Sequence, residues 1–152
     1  MNRVARAGFL LLILSAIAGC GSASQPSSQS VGRVTYEVSG GFTGWHRILT
    51  VEPDGTARVQ VVRGPSPNAG THQVEKATID RLHSLVSDPA FAQLEPAYLP
   101  APGGADLHDY VVTVEVDGRT IKTMTRDGAR PPQILRDVLA ILNQVLASAA
   151  AR

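Results

Sequence analysis

Two sets of residues in this chain have types and spacings suited to chemistry. One is the loop Gly40-Gly41-Phe42-Thr43-Gly44-Trp45, and the other is the four histidines His46, His72, His83 and His108. Three glycines within five positions cost more backbone entropy on folding than other residues would, so they mark a loop that needs unusual φ/ψ or close approach to something. Two readings are open: a wide hairpin whose Phe42 and Trp45 fold back onto a sheet, or a loop presented to a partner with both rings as contacts. No pair of histidines has the His-x-x-x-His spacing that puts two imidazoles on one helical face, and His83 reads as a solvated or half-buried helix residue. The serines carry no Gly-x-Ser-x-Gly elbow, and the chain has neither a phosphate loop nor a dinucleotide fingerprint. An enzyme is therefore the less favoured class, and neither a metal nor a cofactor is expected.

The single cysteine, Cys20, has a different chemistry. Arg3 and Arg6 precede the apolar run Phe9 to Gly19 with no acidic residue between, which is the pattern of a signal peptide over residues 1–19. The run is shorter than the roughly 20 apolar residues of a membrane-spanning helix. Ile17-Ala18-Gly19-Cys20 resembles the bacterial lipobox, in which the cysteine is acylated and becomes the first residue of the mature chain. Each buried methylene of an acyl chain contributes about 0.8 kcal/mol, so two or more chains make a durable anchor. Localisation to the cell envelope follows, lipid-anchored to a membrane outside the cytoplasm. With Cys20 committed to lipid, no disulfide forms in the mature domain. Residues 20–30 continue as an uncharged Ser/Gln spacer. Removing Arg3 and Arg6 with the leader leaves 12 Lys+Arg against 13 Asp+Glu, a balance that gives nucleic acid no electrostatic footing.

The elements that must position the loop lie in residues 31–149, long enough for one domain. Val34, Tyr36 and Val38 alternate with polar neighbours, His46 to Glu52 forms a second strand, and Pro53-Asp54-Gly55 turns into a third over Thr56 to Arg63. Gly64 to Gly70 breaks the pattern as a surface loop. From Glu75 to Ser87 the period becomes helical, with Ile79, Leu82, Leu85 and Val86 on one face, and Phe91 and Leu94 close the core beneath. Glu95 to Asp106 is read as an extended loop. Asp109 to Val116 and Arg119 to Arg126 form a hairpin about Asp117-Gly118, and Pro131-Pro132 opens a helix with a broad apolar face. The expected fold is α+β: an antiparallel sheet in the order βββ-α-ββ-α with two helices packed on one face.

Two stretches, Tyr36-Glu37-Val38-Ser39-Gly40-Gly41-Phe42-Thr43-Gly44 and Pro102-Gly103-Gly104-Ala105-Asp106 followed by Tyr110, resemble the emfourin family of small protein inhibitors of thermolysin-like metallopeptidases, named for the inhibitor of protealysin. The similarity extends to the helix at Ile79 to Val86, the Pro89-Ala90-Phe91 turn, the Asp117-Gly118 hairpin and the closing helix. It implies a non-catalytic protein that binds a secreted or envelope zinc metallopeptidase and blocks its cleft, the zinc belonging to the partner. Gly40, Gly41, Phe42, Thr43, Gly44 and Trp45 would form one contact surface, with Gly103, Gly104 and Asp106 beside it. Asp106 also has a structural reading, as a cap bonding to backbone N–H groups of its loop. The lipobox and the Gly64 to Gly70 loop depart from the family pattern. The rival reading is an envelope lipoprotein that binds an apolar small molecule or another envelope protein, with a pocket lined by Val112, Val114, Ile134 and Leu142. A third, an enzyme with a loop-borne site, would need convergent polar groups that the sequence does not display.

Overall fold

Alternation along one strand decides the architecture. In the computed structural model, which describes residues 30–64 and 69–150, Val34 and Tyr36 are fully buried while Arg33, Thr35 and Glu37 take the opposite face. This strand, β1 (Val31–Gly40), therefore has one apolar side to cover. β2 (Trp45–Val51) and β6 (His108–Val116) both pair with it antiparallel, setting Tyr36 opposite Leu49 on one side and Val112 on the other. β3 (Thr56–Arg63) and β4 (Gly70–Gln73) extend the sheet outward from β2, and β7 (Arg119–Arg126) and the two-residue β5 (Ala97–Tyr98) extend it from β6. The order among the described residues is β4-β3-β2-β1-β6-β7-β5, antiparallel except that β5 runs parallel to β7.

The apolar face is covered by α1 (Lys76–Val86) and α3 (Gln133–Ala150), with the one-turn α2 (Pro89–Ala92) closing one edge. Ile79, Leu82 and Val86 of α1 and Leu135, Val138, Ile141, Leu142 and Val145 of α3 join the strand residues in one core. Phe91 of α2 is completely buried there, and Asp88 accepts a hydrogen bond from Ala90 N at 2.8 Å to cap that turn. At the rim of the core the Tyr36 hydroxyl donates to Asn143 Oδ1 at 2.8 Å, so the one buried phenol on the central strand is satisfied by α3. Burial raises its pKa above the ordinary phenol value.

The α+β class with both long helices on one face is as expected, and three elements were not in the expected order. The segment read as a loop from Glu95 to Asp106 contains β5, held by Met124 N donating to Pro96 O at 3.0 Å and Thr123 Oγ1 donating to Glu95 O at 2.8 Å. Two residues are too few to carry a period. β4 follows the expected Gly64 to Gly70 loop, whose residues 65–68 lie outside the described residues, and its sequence Gly-Thr-His-Gln has no apolar alternation to read. α2 occupies the expected turn after Asp88-Pro89. The signal peptide, Cys20 and nearly all of the spacer also lie outside the described residues. No helix among the described residues is long and apolar enough to cross a membrane.

Leu82 is fully buried between α3 and the sheet, so Leu82→Ala is expected to lower stability by about 2–5 kcal/mol in a denaturant titration, through lost transfer energy and the cavity left behind.

Candidate functional site

The strand directions divide the connections between the two ends of the sheet. One end holds the chain's entry at Ser30 and two tight turns, at Asp54-Gly55 and Asp117-Gly118. There Ser30 N donates to Asp117 Oδ1 at 2.8 Å and Asp117 N returns a bond to Ser30 O at 3.0 Å. The other end, about 30 Å away along β1 at roughly 3.3 Å per residue, holds the β1–β2, β3–β4, β5–β6 and β7–α3 connections. The two glycine loops singled out in the sequence meet at this second end.

Gly41 N donates to Leu107 O at 3.1 Å, which joins the β1–β2 loop to the residue just past Gly103 to Asp106. Gly40 and Gly41 have φ of 116° and 70°, and a Cβ on either would lie 2.4 Å from Leu107 O or 2.7 Å from His108 Nε2. Both the conformation and the contact therefore require glycine. The loop closes on itself through Gly44 N donating to Gly41 O at 2.9 Å.

The two rings of the loop part company. Phe42, at the tip, is 91% exposed, beside an exposed Thr43. Trp45 has entered β2 opposite Gly40 and lies against the sheet, with the Arg47 guanidinium 4.4 Å above its ring and the Gly64 backbone at its edge. Presentation thus holds for Phe42 and folding back for Trp45. Trp45 is half-buried against the sheet. Gly103, Gly104 and Asp106 are all exposed, and Asp106 adopts a left-handed φ of 58°. Among the described residues its carboxylate makes no hydrogen bond, so it shapes the loop through its backbone conformation and not as the expected cap.

Beneath the loops is a polar cluster that the sequence did not reveal. Asp127, just past β7, accepts from His108 N at 2.9 Å, pairs with His108 Nδ1 at 3.1 Å and accepts from the Tyr110 hydroxyl at 2.8 Å, while its own N–H donates to His108 O at 3.0 Å. Burial alone would raise the Asp127 pKa, but these hydrogen bonds outweigh it and hold the carboxyl below its ordinary value. Burial, then the bond to Asp127, pushes the Tyr110 phenol up to about 12. Tyr110 stacks on Tyr36, with ring centroids 6.4 Å apart and planes within 10°. The cluster ties the end of the β6–β7 hairpin to the central strand. His108 Nε2 abuts the Gly41 backbone, so the imidazole braces the loop.

The remaining three histidines sit apart: His46 is on the open face of the sheet 3.6 Å from Glu37, His72 is on β4, and His83 is on α1, its pKa lowered by burial. Among the described residues no three His, Cys, Asp or Glu side chains converge as metal ligands would. Of the residues expected to line an apolar pocket in the rival reading, Val112, Val114 and Leu142 are packed in the core with at most 1% exposure, and Ile134 is partly buried against it. A scan against protein-family models and a search of the curated proteins find no match to this chain.

The Asp127 bonds fix the sign of a pH dependence. A carboxyl whose folded pKa is depressed contributes stability above its unfolded value of about 3.9, and the contribution is lost as pH falls through the folded value. Tyr110, raised instead, contributes below the unfolded value of about 10 and loses its contribution as pH rises through about 12. Asp127→Asn is expected to lower stability by about 1–3 kcal/mol at neutral pH and to flatten the acid limb of a plot of Tm against pH below about pH 4.

Proposed function

We infer that this chain is a surface-anchored lipoprotein whose domain is a non-catalytic inhibitor of thermolysin-like zinc metallopeptidases, occluding the active-site cleft with the loop-bearing end of its sheet. One observation carries the reading. Three large apolar side chains stand exposed among the described residues: Phe42 at 91%, Leu99 at 58% and Val62 at 51%. All three belong to that end, at the β1–β2 tip, just past β5 and near the end of β3. They lie on different strands across the width of the sheet, and Phe42, the most exposed and the one carried by a loop, is the side chain that suits a protein contact.

Several features support a loop inhibitor in particular. The Phe42 tip is held by the Gly44–Gly41 bond and by the Gly41–Leu107 bond to its neighbour, so little conformational freedom is left to lose on binding. Thermolysin-like clefts favour a large apolar side chain beside the scissile bond, and Phe42 is the side chain free to enter one. The Gly103, Gly104 and Asp106 loop lies alongside and would widen the contact. The lipobox sequence Ile17-Ala18-Gly19-Cys20 and the spacer supply the anchor in this reading. The chain enters β1 at the far end from Phe42, which would direct the loops away from the membrane and toward secreted or envelope peptidases.

The test is an equilibrium titration of the protein into a thermolysin-like peptidase with residual activity followed. A stoichiometric fall in activity is expected, and Phe42→Ala is expected to weaken it by roughly tenfold to a hundredfold, the range of an interface anchor. Full activity at saturating protein across several such peptidases, or inhibition unchanged in Phe42→Ala, would overturn the proposal.

A further inference from the structure

Behind the loop tip, on the helix-covered side of the sheet, Val38, Trp45, Arg47, His108, Tyr110, Asn143 and Leu146 line a half-open depression of about 230 Å³. At about 30 Å³ per water this is room for about eight waters, or for one aromatic ring bearing a short polar group. Its walls are of two kinds. Val38, Leu146 and the faces of Trp45 and Tyr110 are apolar or aromatic. Its polar groups include two donors left without a protein partner.

Arg47 makes no ion pair among the described residues, its contact being the stack on Trp45. Asn143 receives the Tyr36 hydroxyl on Oδ1, which leaves its NH₂ group as an uncommitted donor. Both Asp127 oxygens are already bonded to His108 and Tyr110 and do not compete for these donors. A guanidinium stacked on an indole, with an amide donor lining the same depression, suits the planar geometry of a carboxylate.

We propose that this depression is a binding site for an aryl carboxylate, with the carboxylate on Arg47 and Asn143 and the ring between Trp45, Tyr110 and Leu146. The same chemistry is presented by a free aromatic acid and by the C-terminal residue of a peptide ending in phenylalanine. The site stands apart from the peptidase reading, because it needs neither Phe42 nor a peptidase.

Trp45 is the only tryptophan in the chain, so its fluorescence reports this site alone. Titration of the full chain with phenylacetate is expected to change Trp45 emission saturably, whereas uncharged phenylacetamide binds at least about tenfold more weakly, as the loss of one hydrogen bond to a charged group requires. Arg47→Gln is expected to abolish the difference between acid and amide. Because that substitution also alters the indole's surroundings, Leu146→Phe provides a second variant, which fills the depression, keeps Arg47 and is expected to abolish binding with the fold intact by circular dichroism. A peptide ending in phenylalanine that binds more than about tenfold better than phenylacetate, and loses that advantage as its C-terminal amide, would make a chain terminus the ligand; equal or weaker binding would make it the free acid. No saturable response to any of these probes, equal affinity for phenylacetate and its amide, or binding unchanged in Leu146→Phe would overturn the proposal.

Discussion

The loop end of this protein depends on β1 being hydrogen-bonded along both edges almost to its last residue. Gly40 pairs with Trp45 on one side and with His108 on the other, so the chain must leave the sheet between two fixed neighbours. It does so through backbone that no side chain could share: the Leu107 carbonyl and the His108 ring occupy the space a Cβ on Gly40 or Gly41 would take. The glycines therefore serve packing as much as flexibility. They bring the β1–β2 turn into contact with the β5–β6 loop and hold Phe42 at a defined point in solvent, which a flexible loop would not do.

A second layer of constraint lies just inside. Tyr36 stacks on Tyr110, Tyr36 bonds to Asn143 of α3, and Tyr110 and His108 converge on Asp127. Helix, central strand and hairpin end are thus linked by a polar network at the rim of an otherwise apolar core. The His108 and Asp127 side chains stay 37% and 36% exposed, so these bonds order the rim without being deeply buried. This explains how a domain with no cysteine after Cys20 keeps the exposed end of its sheet ordered.

Much of the fold was legible because its signals are local. Alternation in Val34 to Val38 and in Tyr110 to Val116 marked the central strands, helical spacing from Ile79 to Val86 and Ile134 to Leu146 marked the covering layer, and Asp117-Gly118 marked the hairpin, where both residues adopt positive φ. β4 and β5 were not legible, since each is short and defined by its partner strand alone. The site was half legible. Glycine density located both loops, but the different fates of Phe42 and Trp45 depend on where the turn ends and the register begins. The Asp127 cluster joins residues 17 and 19 positions apart across a hairpin. Extending the alternation of β6 back from Tyr110 would have put His108 on the same face, but nothing local announced Asp127 or the pairing of Arg47 with Trp45.

We propose that the glycine-loop end is the surface that engages a metallopeptidase. Backbone amide hydrogen exchange of the protein, free and with a thermolysin-like peptidase whose zinc has been chelated to prevent cleavage, tests this. Protection is expected to rise at 41–45 and 103–108 and to stay unchanged at 53–56 and 117–119, the opposite end of the sheet. Protection confined to that opposite end, or to the open face of the sheet, would contradict it.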